Sequence, residues 1–197
     1  MTGDAPGAWA RPFCKLELAA GARAPEWGPP PGQFTFADGD VHLWRFSLHR
    51  GDGPAGDFLP LLSADERARA GRFFFRENRR RFIVGRGWLR VILGRYVRLA
   101  PAELGFRYGA RGKPELNPAP GIASVCFNLA HTESLALLAV TRDHAVGVDV
   151  ECVRPVMETD AVAARVLSPR EQRGLRALPP GARAETFLRL WTAKEAC

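Results

Sequence analysis

No stretch of this sequence stays apolar for anything near the roughly 20 residues that a membrane-spanning helix needs, so no membrane partner is expected. The first residues carry no basic segment followed by an apolar core, and no secretory leader is expected. The four cysteines, Cys14, Cys126, Cys152 and Cys197, lie far apart and form no C-x-x-C pair. That argues against a zinc site or a disulfide framework and makes a reducing, cytoplasmic setting the default. Lysine is missing altogether between Glu66 and Arg107, and acids nearly so. Twelve arginines there face only Glu66, Glu77 and Glu103, so the window carries +9 in a chain of net charge +7. Ala, Gly, Pro and Arg all run high, and that bias explains arginine in place of lysine. It does not explain the missing acids. A field of this sign favours anionic partners such as phosphates, nucleic acid or an acidic protein surface.

With 197 residues, 46% of them hydrophobic and 25% charged, the chain suits one large domain or two small ones. Residues 1–40 are rich in Pro, Gly and Ala and read as an irregular extension. "VHLWRFSL" (41–48) is β-prone and reads as the first strand. "GDGPAGDF" reads as a loop. Ser63 with Glu66 three positions on predicts a capping box at the start of a helix. Phe82, Leu89, Ile92, Leu93 and Tyr96 then recur at helical spacing, with arginine on the other faces. "PAELGFRYGARGKPEL" reads as a short strand leading into a Gly/Pro loop. "SVCFNLA", "LALLAVT" and "VGVDVE" read as three strands. Ser168, Pro169 and Glu171 predict a second capped helix, stopped by Pro179 and Pro180. A final helix is expected from about Ala184. Strands and helices mix without regular alternation, which favours α+β over a doubly wound sheet.

Several residues have the chemistry for a site. Asp149 and Glu151 stand two apart on the expected strand and so share one face. Two carboxylates so placed repel unless a cation lies between them. Mg²⁺, which takes oxygen ligands, would suit them, and so would plain solvent at a strand end. Phe187, Trp191 and Glu195 fall on one helical stripe. If Trp191 faces the core, Glu195 points to the same interior edge, where desolvation and the helix dipole both oppose a carboxylate. A metal or proton-transfer role would offset that cost; a frayed glutamate in water would avoid it. "RYGARGKPEL" is a Gly-rich basic turn whose Arg111 and Lys113 could hold a phosphate. Asn128 and His131 sit at a strand end, where the histidine is either structural or a phosphate donor.

In chain order, "LSADERARAGRFFFRENRRRFIVGR", "GARGKPEL", "FNLAHT", "GVDVE" and "RLWTAKEA" resemble the Sfp-type 4′-phosphopantetheinyl transferases over about residues 60 to 197. The resemblance implies an α+β fold of two similar halves related by a pseudo-twofold, with coenzyme A between them. The expected division is the extension (1–40), an N-terminal half (41–142) and a C-terminal half (143–197). The implied reaction moves 4′-phosphopantetheine from coenzyme A to a serine of an acyl or peptidyl carrier protein, Mg²⁺-dependent, releasing 3′,5′-ADP. Asp149, Glu151 and Glu195 would hold Mg²⁺, and Glu195 would also be the general base, with Lys194 beside it. Arg69 and His131 would bind the 3′-phosphate. Arg111, Gly112 and Lys113 would line the nucleotide, and Asn128, Leu129 and Ala130 would shape the adenine pocket. A monomer acting on an acidic carrier surface is implied. Ala130 stands where the family often has Ser, and Phe82 where some members have a small polar residue. The family pattern continues past K-E-[AS] with a lysine about one turn on and further strands, so the second half is expected to be incomplete here. Two other readings compete: a remnant that binds coenzyme A or carrier without turnover, and an Arg-rich nucleic-acid module. The latter lacks interleaved aromatics and known motifs, so no nucleic-acid partner is expected.

Overall fold

A computed structural model describes residues 13–17, 27–49, 55–109, 112–118, 124–153 and 159–197. Its main sheet has four antiparallel strands in the order β1 (Phe13–Glu17), β2 (Asp40–Ser47), β6 (Leu135–Arg142) and β5 (Val125–His131). A separate hairpin pairs β3 (Phe106–Tyr108) with β4 (Pro114–Leu116). Among the described residues six α-helices accompany them: α1 (Ala55–Phe58), α2 (Ala64–Gly71), α3 (Arg76–Val97), α4 (Thr159–Val166), α5 (Pro169–Ala177) and α6 (Pro180–Glu195).

The sheet's alternation sorts the core. Trp44, Phe46, Phe127, Ala136, Leu138 and Val140 face α3, whose Trp88, Leu89, Ile92 and Leu93 complete the main cluster. Leu43 and Ala139 point the other way, onto Trp27, Val146 and Val148. β2 is therefore buried on both faces, as a central strand should be. Burying one such Leu or Phe side chain stabilises by about 1.5–3 kcal/mol. The three C-terminal helices have a smaller core of their own, built on Ala163, Leu167, Leu175 and Phe187.

The helical spacing of 82, 89, 92, 93 and 96 is realised, and α+β is the class. Both capping boxes form. The Glu66 carboxylate accepts from the Ser63 backbone N–H at 3.1 Å, and the Glu171 carboxylate from that of Ser168 at 2.7 Å.

Five expectations are corrected. The extension read as irregular contributes β1, because its residues complete an open edge of β2; "VHLWRFSL" thus belongs to the second strand. The segment read as a loop ends in α1, while residues 51–54 lie outside the described part. "VGVDVE" forms no strand: Asp143 turns the chain at φ 62° after β6, and the segment runs on without ladder pairing. α6 begins at Pro180 rather than near Ala184, since proline is well tolerated in a first helical turn. Arginine does not keep to the outer faces of α3. Arg86 and Arg90 are buried, and both meet Glu66 of α2, at 3.3 and 2.7 Å. Arg90 also donates to the Pro101 and Leu104 carbonyls, each at 2.9 Å. α4 had no counterpart in the sequence reading.

A second buried polar group joins α3 to β2. The Tyr96 hydroxyl lies 3.0 Å from Trp44 Nε1, which donates to it, and 2.7 Å from His42 Nδ1. Phe36 stacks on both His42 and Tyr96, at centroid distances of 4.6 and 4.8 Å. Burial in this apolar cage pushes the Tyr96 phenol well above its ordinary range.

Candidate active site

A cleft of about 860 Å³ opens between α2, α3, the end of β5, the β3–β4 hairpin and residues 151–152. Four of its walls carry residues expected from sequence. α2 supplies Arg69, exposed and lying over the Phe82 ring at 5.3 Å. β5 supplies Leu129 and His131, which share the pleat face of buried Phe127. The hairpin supplies Gly112, at φ 74°, a backbone conformation that glycine adopts without a Cβ penalty. The unpaired segment after β6 supplies Glu151.

α3 contributes a stripe of which the sequence reading had singled out only Phe82. Asn78, Arg81, Phe82 and Gly85 stand at i, i+3, i+4 and i+7 and all line the cleft. The spacing was visible as a second helical face, but arginine there looked like solvated surface. Arg81 Nε is buried, 3.6 Å from Glu77 and without a hydrogen bond among the described residues. Arg86 forms the floor: it donates to the Tyr108 hydroxyl and lies over the Tyr108 and Phe106 rings. The cleft thus sets Arg69, Arg81, Arg86 and His131 against Glu133 and Glu151.

The other expected residues lie elsewhere. Asn128 and Ala130 occupy the opposite face of β5, so neither shares the wall of Leu129 and His131. Asn128 Oδ1 accepts the Val148 N–H at 2.8 Å and thereby pins the segment that carries Asp149 and Glu151. Lys113 donates to the Val146 carbonyl at 3.0 Å, on the rim of a neighbouring hollow of about 340 Å³. Arg111 lies outside the described residues. Lys194 pairs with Glu171 of α5 at 3.1 Å rather than with Asp149 or Glu151. The Ser168 backbone N–H, then the Ser168 hydroxyl and Lys194, hold the Glu171 carboxyl below its ordinary range.

Glu195 is exposed, not turned to an interior edge, because Trp191 is only half-buried and Glu195 is itself the last residue of the helix. The motifs nonetheless meet. Gly147, just before Asp149, lies so close to the Ala196 carbonyl that any side chain there would overlap it. Asp149 is half-buried, and its Oδ2 is fully enclosed without a partner among the described residues. A buried carboxylate oxygen left unpaired is costly, and a cation would relieve the cost. Among the described residues no three acidic, histidine or cysteine side chains come together as a ready metal site. The enclosed Asp149 oxygen suits a divalent cation in its chemistry, and no three-ligand cluster forms around it among the described residues.

The cleft is thus lined by Arg69, Arg81, Arg86 and His131 on an antiparallel α+β frame. Comparison with known proteins gives the family. A model described as the N-terminal part of 4′-phosphopantetheinyl transferases matches residues 56–143, and one for the 4′-phosphopantetheinyl transferase superfamily matches 145–197. The chain is 43% identical over 170 residues to the 4′-phosphopantetheinyl transferase HetI of Nostoc sp., covering 86% of this chain and 72% of that protein. It is 33% identical to psf-1 of Bacillus pumilus, covering 70% of this chain and 56% of that protein. It is 25% identical to Sfp of Bacillus subtilis, covering 70% and 59%. The chain belongs to the 4′-phosphopantetheinyl transferase superfamily, and it spans under two thirds of the length of the latter two relatives.

Proposed function

We propose that the protein transfers the 4′-phosphopantetheinyl group of coenzyme A to a serine hydroxyl of an acyl or peptidyl carrier protein. The observation that carries the reading is the convergence of Arg69, His131 and Glu151 from three separate elements on one cleft. Cations there suit the phosphates of coenzyme A, and the Gly112 turn with Leu129 suits its nucleotide. The serine oxygen attacks the phosphorus that bears pantetheine. The bond from that phosphorus to the pyrophosphate bridging oxygen breaks, and 3′,5′-ADP leaves. Glu195 takes the serine proton, directly or through a water.

Asp149 and Glu151 would hold Mg²⁺, with Glu195 as a third ligand; the enclosed, unpartnered Asp149 Oδ2 supports this. When bound, the ion neutralises charge on the group being attacked. Asn128 acts as a positioning residue, since it fixes the Val148 amide next to Asp149. A monomer working in the cytoplasm is part of the same proposal.

The test mixes apo carrier protein, coenzyme A and Mg²⁺ with the chain and reads the carrier's intact mass. A mass increase equal to one phosphopantetheine arm is expected; none, with a control transferase working in parallel, refutes turnover. One observation favours a binding-only alternative: Glu195 is exposed, and the three acids do not form one cluster among the described residues. Calorimetry showing coenzyme A binding without transfer would establish that alternative.

A further inference from the structure

We propose that Phe74 and Phe75, with the arginines beside them, form the docking surface for the carrier protein. The proposal rests on the transferase reading and deepens it by placing the protein substrate on the molecule. These residues belong to the short connection between α2 and α3. Phe73, which follows Arg72 in it, turns inward: its ring packs on Phe82 at 5.4 Å and lines the cleft. Phe74 and Phe75 turn outward, 91% and 65% exposed, with their rings edge to face at 5.1 Å. Phenylalanine is among the residues most often buried, so a paired, projecting exposure is informative where a single one would not be.

The surroundings specify the occupant. Arg72, Arg76 and Arg79 flank the two rings, are exposed, and make no ion pair with a described residue. The one acid nearby, Glu77, faces Arg81. An aromatic pair ringed by unneutralised arginine complements an apolar patch bordered by acids. Aromatic residues and arginine are also the types enriched in protein–protein interfaces, where lysine is depleted, and this window contains no lysine. The position fits delivery of a nucleophile. Phe73 and Arg69 on the cleft wall flank the knob, so a protein seated on it stands at the mouth of the cleft. An anionic lipid surface is the competing occupant.

The experiment titrates the full chain into a panel of fluorescein-labelled apo acyl and peptidyl carrier proteins and reads anisotropy at low and high salt. Coenzyme A and carrier KM are measured in parallel. Wild type should bind at least one carrier, more weakly as salt rises. Phe74→Ser with Phe75→Ser should weaken that binding about tenfold or more, as loss of interface anchors does, and raise carrier KM alike. kcat and the KM for coenzyme A should stay within about twofold, and the melting temperature should hold, because neither ring is in the core. Arg72→Glu with Arg76→Glu should lower affinity and flatten its salt dependence. Unchanged carrier affinity in the double phenylalanine variant overturns the proposal. So does binding of wild type to no carrier, or phenylalanine-dependent flotation with phosphatidylglycerol vesicles in place of carrier binding. Failure of transfer with intact, phenylalanine-dependent carrier binding would refute turnover and leave the docking surface standing.

Discussion

Glu66→Gln should be among the most damaging single changes outside the cleft. Glu66 is 2% exposed, and its two oxygens meet Arg86, 7% exposed, and Arg90, 1% exposed. The substitution keeps the volume but removes the charge that compensates two buried guanidinium groups. It also turns an amide NH₂ toward donors that have no use for it. Removing one partner of a buried ion pair costs about 3–5 kcal/mol, because the remaining charge is left uncompensated. The capping interaction with the Ser63 amide weakens as well. Against a total stability of about 5–15 kcal/mol, that is a large fraction. At about 2–4 °C per kcal/mol for a chain of this size, the melting temperature should fall by about 6–20 °C. Circular dichroism melts and urea titrations measure it directly. Arg86→Met on its own should cost less, since Glu66 keeps Arg90 at 2.7 Å, although Tyr108 then loses its donor. A fall of under about 2 °C for Glu66→Gln, equivalent to less than about 1 kcal/mol, would refute the view that this carboxylate is what makes two buried arginines tolerable.

Other outcomes are equally concrete. Tyr96 has its phenol raised by burial, so the stability gained by burying it neutral is complete below its unfolded value near 10 and is lost as pH rises toward the folded one. Tyr96→Phe should cost about 1–3 kcal/mol at neutral pH, through the lost contacts to His42 and Trp44, and should flatten the alkaline decline in melting temperature. An equally steep decline in the variant would exclude Tyr96 as its source. Gly147→Ala places a methyl on the Ala196 carbonyl and should separate the Asp149 segment from α6, lowering transfer more than coenzyme A affinity; unaltered kcat would show that this contact does not matter. Glu195→Gln should abolish transfer and largely spare coenzyme A binding by calorimetry, and surviving transfer would refute its role as base. Asp149→Ala should remove Mg²⁺ dependence together with activity; unchanged activity would refute the metal site.

Local rules carried much of the fold. Capping boxes need only a serine and a glutamate three residues apart, and those at Ser63 and Ser168 formed as read. The i, i+3, i+4 spacing through Leu89, Ile92 and Leu93 formed a helix as read, and the β-prone runs around Phe127 and Leu138 formed strands. The five motifs in order identified the family without coordinates. Partners far apart in sequence were beyond those rules. "VGVDVE" has ideal strand residues, yet Asp143 turns it off the sheet and Asn128, twenty residues earlier, takes its amide. Arg86 and Arg90 look like solvent-facing cations until Glu66 arrives from another helix to make their burial possible. β1 could form from a Pro- and Gly-rich extension only because β2 offered it an edge. The sequence alone determined which residue types were present and the period of each element. The tertiary structure decided which face each residue showed, since that depends on long-range pairing: Leu129 and His131 line the cleft, and Asn128 holds the segment behind it.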